Sequence, residues 1–243
     1  MRLLTLLFFF AQTSLFAQTS FGLKVAGGGS VLPIKYLQPN STFRNDNYFR
    51  GAGMGGMYLD HKIGQYMVFS SELKYASFGS TQELHMSIDW NGADYTEVFY
   101  QRDRRLHYFG SNVAFGLNLK RFTMKVGLGL DIELSSRINT TGEYVVMADD
   151  PTFPWNGSHP VDYTDGMRNE RKWNGNVTLE VSYRVTERFS VHAMVYEGMK
   201  QEENYHFDSY TWRISAFAFG ASFKLFEFPR HSSFDKHGIT PHQ

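Results

Sequence analysis

A histidine close to a carboxylate is a simple general base, because the acid raises the basicity of the imidazole. The chain offers that spacing at His206-x-Asp208, and His85 and Asp89 on another protruding arm could meet it. Brought together on one surface, these four would form an outward-facing hydrolytic site; taken singly they are ordinary polar residues on wet loops. There is no His-Glu-x-x-His zinc motif and no Gly-x-Ser-x-Gly elbow. Asp149, Asp150, Asp162, Asp165 and Gly166 cluster carboxylates as a Ca²⁺ loop does, but without the alternating ligand spacing of an EF-hand. Solvated loop acids are the plainer reading. His231, His237 and His242 near the C-terminus are a weak metal signal in what reads as a disordered end. With no cysteine, the chain has no thiolate nucleophile, no disulfide and no Cys-ligated metal or haem. No cofactor and no metal are expected.

A second set of chemically active residues sits in segments of strict period two. Between 122 and 134, Phe122, Met124, Val126, Leu128, Leu130, Ile132 and Leu134 alternate with Thr123, Lys125, Gly127, Gly129, Asp131 and Glu133. That period places successive side chains on opposite faces of a strand. The same alternation runs through 109–119, 177–183, 189–196 and 216–225, and more weakly through 21–25 and 69–75. The stretch 49–59 is diluted by Gly51, Gly53, Gly55 and Gly56. Eight strands are predicted, over 20–31, 48–60, 66–89, 95–119, 122–140, 168–185, 189–199 and 209–226, with no amphipathic helix and no tandem repeat. Their polar faces carry Glu72, Lys74, Lys125, Asp131, Glu133, Glu180, His192 and Lys224.

The connections alternate as well. Residues 61–65, 120–121 and 186–188 read as short turns, whereas 32–47, 90–94 with its flanking arms, 141–167 and 200–208 are long or protruding. Short turns at one end and long loops at the other describe an eight-stranded, antiparallel, up-and-down transmembrane β-barrel. A soluble lipocalin-like barrel has the same strand order with its apolar face turned inward. Three features favour the membrane form. The apolar faces stay uncharged over long runs. The polar faces mix Gly, Ala, Ser and Asn with a few opposite charges, which suits a narrow filled lumen. Aromatics gather near the short turns, at Phe21, Tyr66, Phe122, Tyr183, Phe189, Phe223 and Phe226. Eight strands enclose a tube that side chains just fill, so the opposite charges inside it must pair. The sharper alternative is a proton or ion path through His192.

Met1-Arg2, the apolar run Leu3 to Phe10 and the small residue Ala17 make an export signal over 1–17, followed by a barrel over 18–226 and a periplasmic tail over 227–243. The whole chain has 243 residues, 24 basic and 24 acidic; removal of the leader takes Arg2 and leaves 226 residues at net −1. A neutral chain has no basic footprint for nucleic acid. Mean hydropathy is only −0.36, and no segment after the leader offers ~18 consecutive apolar residues, which argues against a helical membrane protein but not against a barrel whose strands are apolar on one face. Aromatics make up 16% of the chain, a high share that the strand ends account for.

Several of these elements carry a resemblance. Phe21-Gly-Leu-Lys-Val-Ala-Gly27, Ser71-Glu-Leu-Lys-Tyr-Ala-Ser-Phe-Gly79, Leu106-His-Tyr108 and Val126-Gly-Leu-Gly129 resemble the small outer-membrane β-barrel proteins of Gram-negative bacteria, the PorT-like porin family. Gly220, Phe223 and Leu225 resemble the last-strand signal that barrel-assembly machinery reads. The sequence departs from that signal at Ala218, which is not polar, and in the 17 residues that follow the strand. The resemblance implies a monomeric barrel in the outer membrane, with lipid and the assembly machinery as partners. Some relatives of this kind serve secretion and gliding machinery. Trp155 and Asn156 in the 141–167 loop suit a protein or glycan partner. The leading expectation is a non-enzymatic structural or interaction protein, accessory to a secretion or envelope complex. The alternatives are a loop-borne hydrolase of lipid or peptide, and a soluble lipocalin-like carrier.

Overall fold

The computed structural model describes residues 18–36, 42–89, 95–147, 156–166, 173–199, 201–205 and 208–228. The leader 1–17 and the residues after Phe228 lie outside them. The described residues form strands β1 (Gln18–Val31), β2 (Ile34–Tyr36), β3 (Thr42–Ile63), β4 (Met67–Asp89), β5 (Tyr95–Leu119), β6 (Phe122–Met147), β7 (Gly157–Gly166), β8 (Trp173–Arg184), β9 (Phe189–Gly198), β10 (Gln201–Tyr205), β11 (Asp208–Trp212) and β12 (Ser215–Phe228). Eight of them close a ring in the order β1-β3-β4-β5-β6-β8-β9-β12, and β12 returns to pair with β1. Every ladder in it is antiparallel, so the all-β, eight-stranded up-and-down barrel read from the alternation is the observed fold. Closure leaves no strand edge in the lipid layer, the condition a spanning sheet has to meet.

The ring is much taller on one side. Above the barrel, β3, β4, β5 and β6 continue as a wall, and β7 adds a fifth strand by pairing with Arg137–Val146 of β6. The sequence reading stopped short here. It began the second strand at 48 where β3 begins at Thr42, and it ended the fifth at 140 where β6 runs to Met147. It made 141–167 a loop, although β7 lies within it. The wall stands in water, where neither face of a strand must be apolar, so the period-two signal fades; Pro160 and Gly157 further disguise β7. Likewise 32–47 and 200–208 hold β2, β10 and the start of β11, which form a separate three-stranded sheet. The last ring strand therefore starts at Ser215, after β11, rather than at 209.

Two bulges matter for which way side chains face. Opposite His107 and Tyr108 of β5, the register of β6 skips Leu134, so Glu133 pairs with Tyr108 but Ser135 with His107. Odd-numbered residues of β6 thus switch from the lumen to the outer surface. Opposite Phe21 and Gly22 of β1, the register of β12 skips Leu225. Phe223, Phe226 and Phe228 are exposed while Leu225 is half-buried, so Leu225 does not share the outer face in phase with Phe223. The ladder also continues to Phe228, two residues beyond the barrel end read from the alternation. At the short turns, Lys120 takes a left-handed φ of 57° and Gly64 one of 68°, and the latter position costs least as glycine.

Candidate functional site

The side chains sort by face. Val126 is 57% exposed, Leu128 66% and Phe219 67%, and Leu23, Val25, Leu73, Phe109, Val113, Phe115, Leu179 and Val195 face outward with them. Lys24, Lys74, Lys125, Asp131, Glu133, Glu180 and His192 are buried inside. A water-soluble barrel has the opposite arrangement, which removes the lipocalin-like reading. From Phe122 to Leu134 the apolar ladder of β6 climbs roughly 30 Å if its strand is tilted by ~40°, close to a bilayer's hydrocarbon thickness. Near the short turns Phe122 packs on Tyr183 at 5.0 Å and Phe21 on Phe226 at 6.5 Å, the rim at which aromatic side chains sit between lipid and water. The chain is a small outer-membrane β-barrel.

The interior of this barrel has two layers. In the lower layer Lys24 contacts both Glu72 and Glu180. Lys125 lies 3.0 Å from Asp60 and 3.9 Å from the second oxygen of Glu180. Higher up, Lys74 is 3.6 Å from Asp131 and 4.9 Å above the Tyr196 ring. Tyr196 Oη donates to Asp131 Oδ2 at 2.7 Å, Asn176 Nδ2 to the same oxygen at 2.9 Å, and Asn174 Nδ2 to Tyr196 Oη at 2.7 Å. Glu133 lies opposite Tyr108 on the neighbouring strand. Lys224 sits at the short-turn rim, paired with Glu227. The eight polar-face residues singled out in the sequence thus all lie on the interior or its rim. Lys24 and Asp60, equal members of the charge network, were not among them. Lys24 follows from the alternation of Leu23 and Val25, whereas Asp60 lies on the strand whose pattern the glycines dilute.

Glycines make this packing fit. A Cβ on Gly127 would stand 2.6 Å from Thr178 Oγ1 and 2.8 Å from the Asn112 amide. Asn112 Nδ2 donates to that hydroxyl at 2.9 Å. His192 lies across from Gly220, where a Cβ would come within 2.6 Å of Nε2. Gly220 thus has a packing reason of its own, independent of any assembly signal. Neither ring nitrogen of His192 has a hydrogen-bond partner among the described residues, so no relay of hydrogen bonds runs through it there.

Above the charges the tube is closed by an apolar layer. Leu32, Phe78, Leu106, Tyr108, Tyr196 and Ile214 are each at most 2% exposed and form one cluster with Ala52, Ala76 and Ala216. Phe78 meets Tyr196 at 4.7 Å and Tyr108 at 6.0 Å. Below it, a cavity of about 80 Å³ opens among Lys24, Tyr58, Asp60, Glu72, Lys125 and Glu180 toward the short-turn end. Tyr196→Phe should cost about 1.5–3 kcal/mol, because it strips the charged Asp131 acceptor of one donor and removes one Asn174 hydrogen bond; urea unfolding in detergent micelles measures it.

The outer surface of the wall holds the rest. Arg44, Asp46, Tyr48, Glu83, His85, Phe99 and Gln101 line a groove of about 620 Å³ there. His85 stacks on Phe99 at 4.1 Å, and Tyr48 Oη donates to Glu83 at 3.1 Å. The proposed acid–base pairs are not assembled by the described residues. His85 and Asp89 lie four residues apart on one strand, roughly 13 Å along it. Asp208 pairs with Tyr205 at the tip of the separate small sheet. His206, Asp149, Asp150, Trp155 and the three tail histidines lie outside the described residues. Asp162 is exposed on β7, and no metal-holding group occurs among the described residues.

No protein-family model and no curated protein matches the chain. Among solved structures, Neisserial surface protein A is 10% identical, with 85% of this chain and 99% of that one covered at a TM-score of 0.43. Ail, the attachment invasion locus protein of Yersinia pestis, solved with the heparin analogue sucrose octasulfate, is 8% identical over 86% and 99% at 0.40. The outer membrane protein OprG from Pseudomonas aeruginosa is 11% identical over 85% and 97% at 0.34.

Proposed function

We propose that this barrel is a non-conducting, non-enzymatic scaffold that presents its extracellular wall to a protein or glycan partner as an accessory of an envelope or secretion complex. The observation that carries the reading is the division of labour between the two halves. The lumen is spent on ion pairs and sealed by the Phe78–Tyr108–Tyr196 layer, while the wall projects an aromatic and charged groove that the barrel itself does not need. Mixed aromatic and charged surface of this kind is what protein and carbohydrate partners use.

Two measurements test it. In planar bilayers the purified protein should show no steady conductance at moderate voltage; stable single-channel steps would overturn the closed-lumen half. Cross-linking on intact cells followed by detergent extraction should recover a defined envelope partner, and its yield should fall when His85 and Phe99 are both replaced by serine. Recovery of the barrel alone, or a yield indifferent to the double replacement, would overturn the scaffold half.

A further inference from the structure

On the outer surface, just above the apolar belt, two arginines face each other across neighbouring strands. Arg105 of β5 and Arg137 of β6 are directly opposed in the ladder. Both are exposed. Arg137 points outward only because the bulge at Leu134 reverses the phase of β6; without it the position would face the lumen. Like charges directly opposite on a sheet repel, and no carboxylate of the described residues forms an ion pair with either arginine. Among the described residues the one side-chain hydrogen bond of the pair is from Arg137 Nε to Asn139 Oδ1 at 3.3 Å. The flanking positions of the same row are glycines, Gly79 on β4 and Gly166 on β7. Over Gly79 lies the stem of Arg50, whose guanidinium is held by Asp103 at 2.7 Å.

The height of this row identifies the missing anion. Phe109 is the last apolar residue of β5 in the belt, and Tyr75 beside it turns its hydroxyl up to His107 Nδ1 at 2.6 Å. Arg105 stands four residues further, roughly 10 Å higher on a tilted strand. Arginine side chains that droop toward the bilayer from there reach the headgroup layer. Guanidinium forks match phosphate oxygens two by two. We propose that Arg105 and Arg137 form a binding site for the phosphate of an outer-leaflet glycolipid, which supplies the counter-charge that the described residues do not.

The test uses the full-length protein in detergent, its folded state checked by heat-shifted gel mobility. Binding is followed by native mass spectrometry with three probes: lipid A bearing its phosphates, the same lipid with the phosphates removed, and inorganic phosphate. The native protein should hold the phosphorylated lipid at least tenfold more tightly than the dephosphorylated one. In R105Q/R137Q, and partly in each single variant, the two lipids should bind within about twofold of one another. R213Q, which alters an exposed arginine already paired with Glu197 at 2.9 Å, should keep the native preference. Equal binding of both lipids by the native protein would overturn the proposal, as would a preference that survives R105Q/R137Q. Displacement of the lipid by millimolar inorganic phosphate would overturn the lipid assignment in favour of a free-anion site.

Discussion

Glu180→Leu should destabilise the folded barrel by about 3–5 kcal/mol, the usual cost of removing one partner from a buried ionic group. Glu180 is buried at the junction of two lysines, touching Lys24 with one oxygen and lying 3.9 Å from Lys125 with the other. The leucine fills the space but leaves Lys24 to Glu72 and Lys125 to Asp60, with two ammonium groups crowded in a tube closed above by apolar side chains. Urea titration of the lipid-reconstituted protein, read by gel mobility and tryptophan fluorescence, measures the loss. The triple variant K24M/E72L/E180L should recover a good part of it, because removing Lys24 together with both of its carboxylates replaces the whole ionic group by apolar side chains and strands no charge, while Lys125 keeps Asp60. A urea midpoint unchanged in Glu180→Leu would mean that water reaches both lysines through the cavity below them and that the network does not hold the barrel shut.

The same interior shows what a sequence can and cannot disclose. Where one face of a strand must meet lipid, alternation is enforced residue by residue, and 122–134 or 177–183 can be read without a structure. Lys125, Asp131, Glu133 and Glu180 then fall inside by parity alone. The argument weakens where that demand is relaxed. Asp60 shares a strand with Gly51, Gly53, Gly55 and Gly56, so nothing apolar marks its phase. Above the bilayer, β3, β6 and β7 pair backbone to backbone with polar residues on both faces, and their lengths become invisible. Bulges are the hardest to see, because one extra residue changes only the phase. At β12 the adjacent pair Leu225-Phe226 is a trace of it. At β6 the switch falls in the polar run Ser135-Ser136-Arg137, where no apolar residue reports which face is out. The arginine row was hidden for that reason, while the lysine network was half legible.

The second large effect tests the direction in which the apolar face points. Leu128 is among the most exposed side chains of the barrel at 66%, midway along the ladder from Phe122 to Leu134. On a soluble protein an exposed leucine can be exchanged for arginine at a cost within about 0.5 kcal/mol. On a barrel surrounded by lipid, the same exchange at mid-belt should cost about 2–4 kcal/mol. The penalty should fall toward zero for the equivalent change at Phe122, which stands at the rim where a long cationic side chain can reach water. Leu128→Arg and Phe122→Arg lie on one strand and one face, six residues apart, so strand propensity and local packing are closely matched and depth is the main variable. Folding each variant into vesicles of defined thickness and titrating with urea gives the difference directly. A Leu128→Arg variant as stable as Phe122→Arg would place both residues in water and remove the membrane belt on which the fold's polarity rests. A depth-dependent loss ties the period-two pattern of 122–134 to the solvent that selects it.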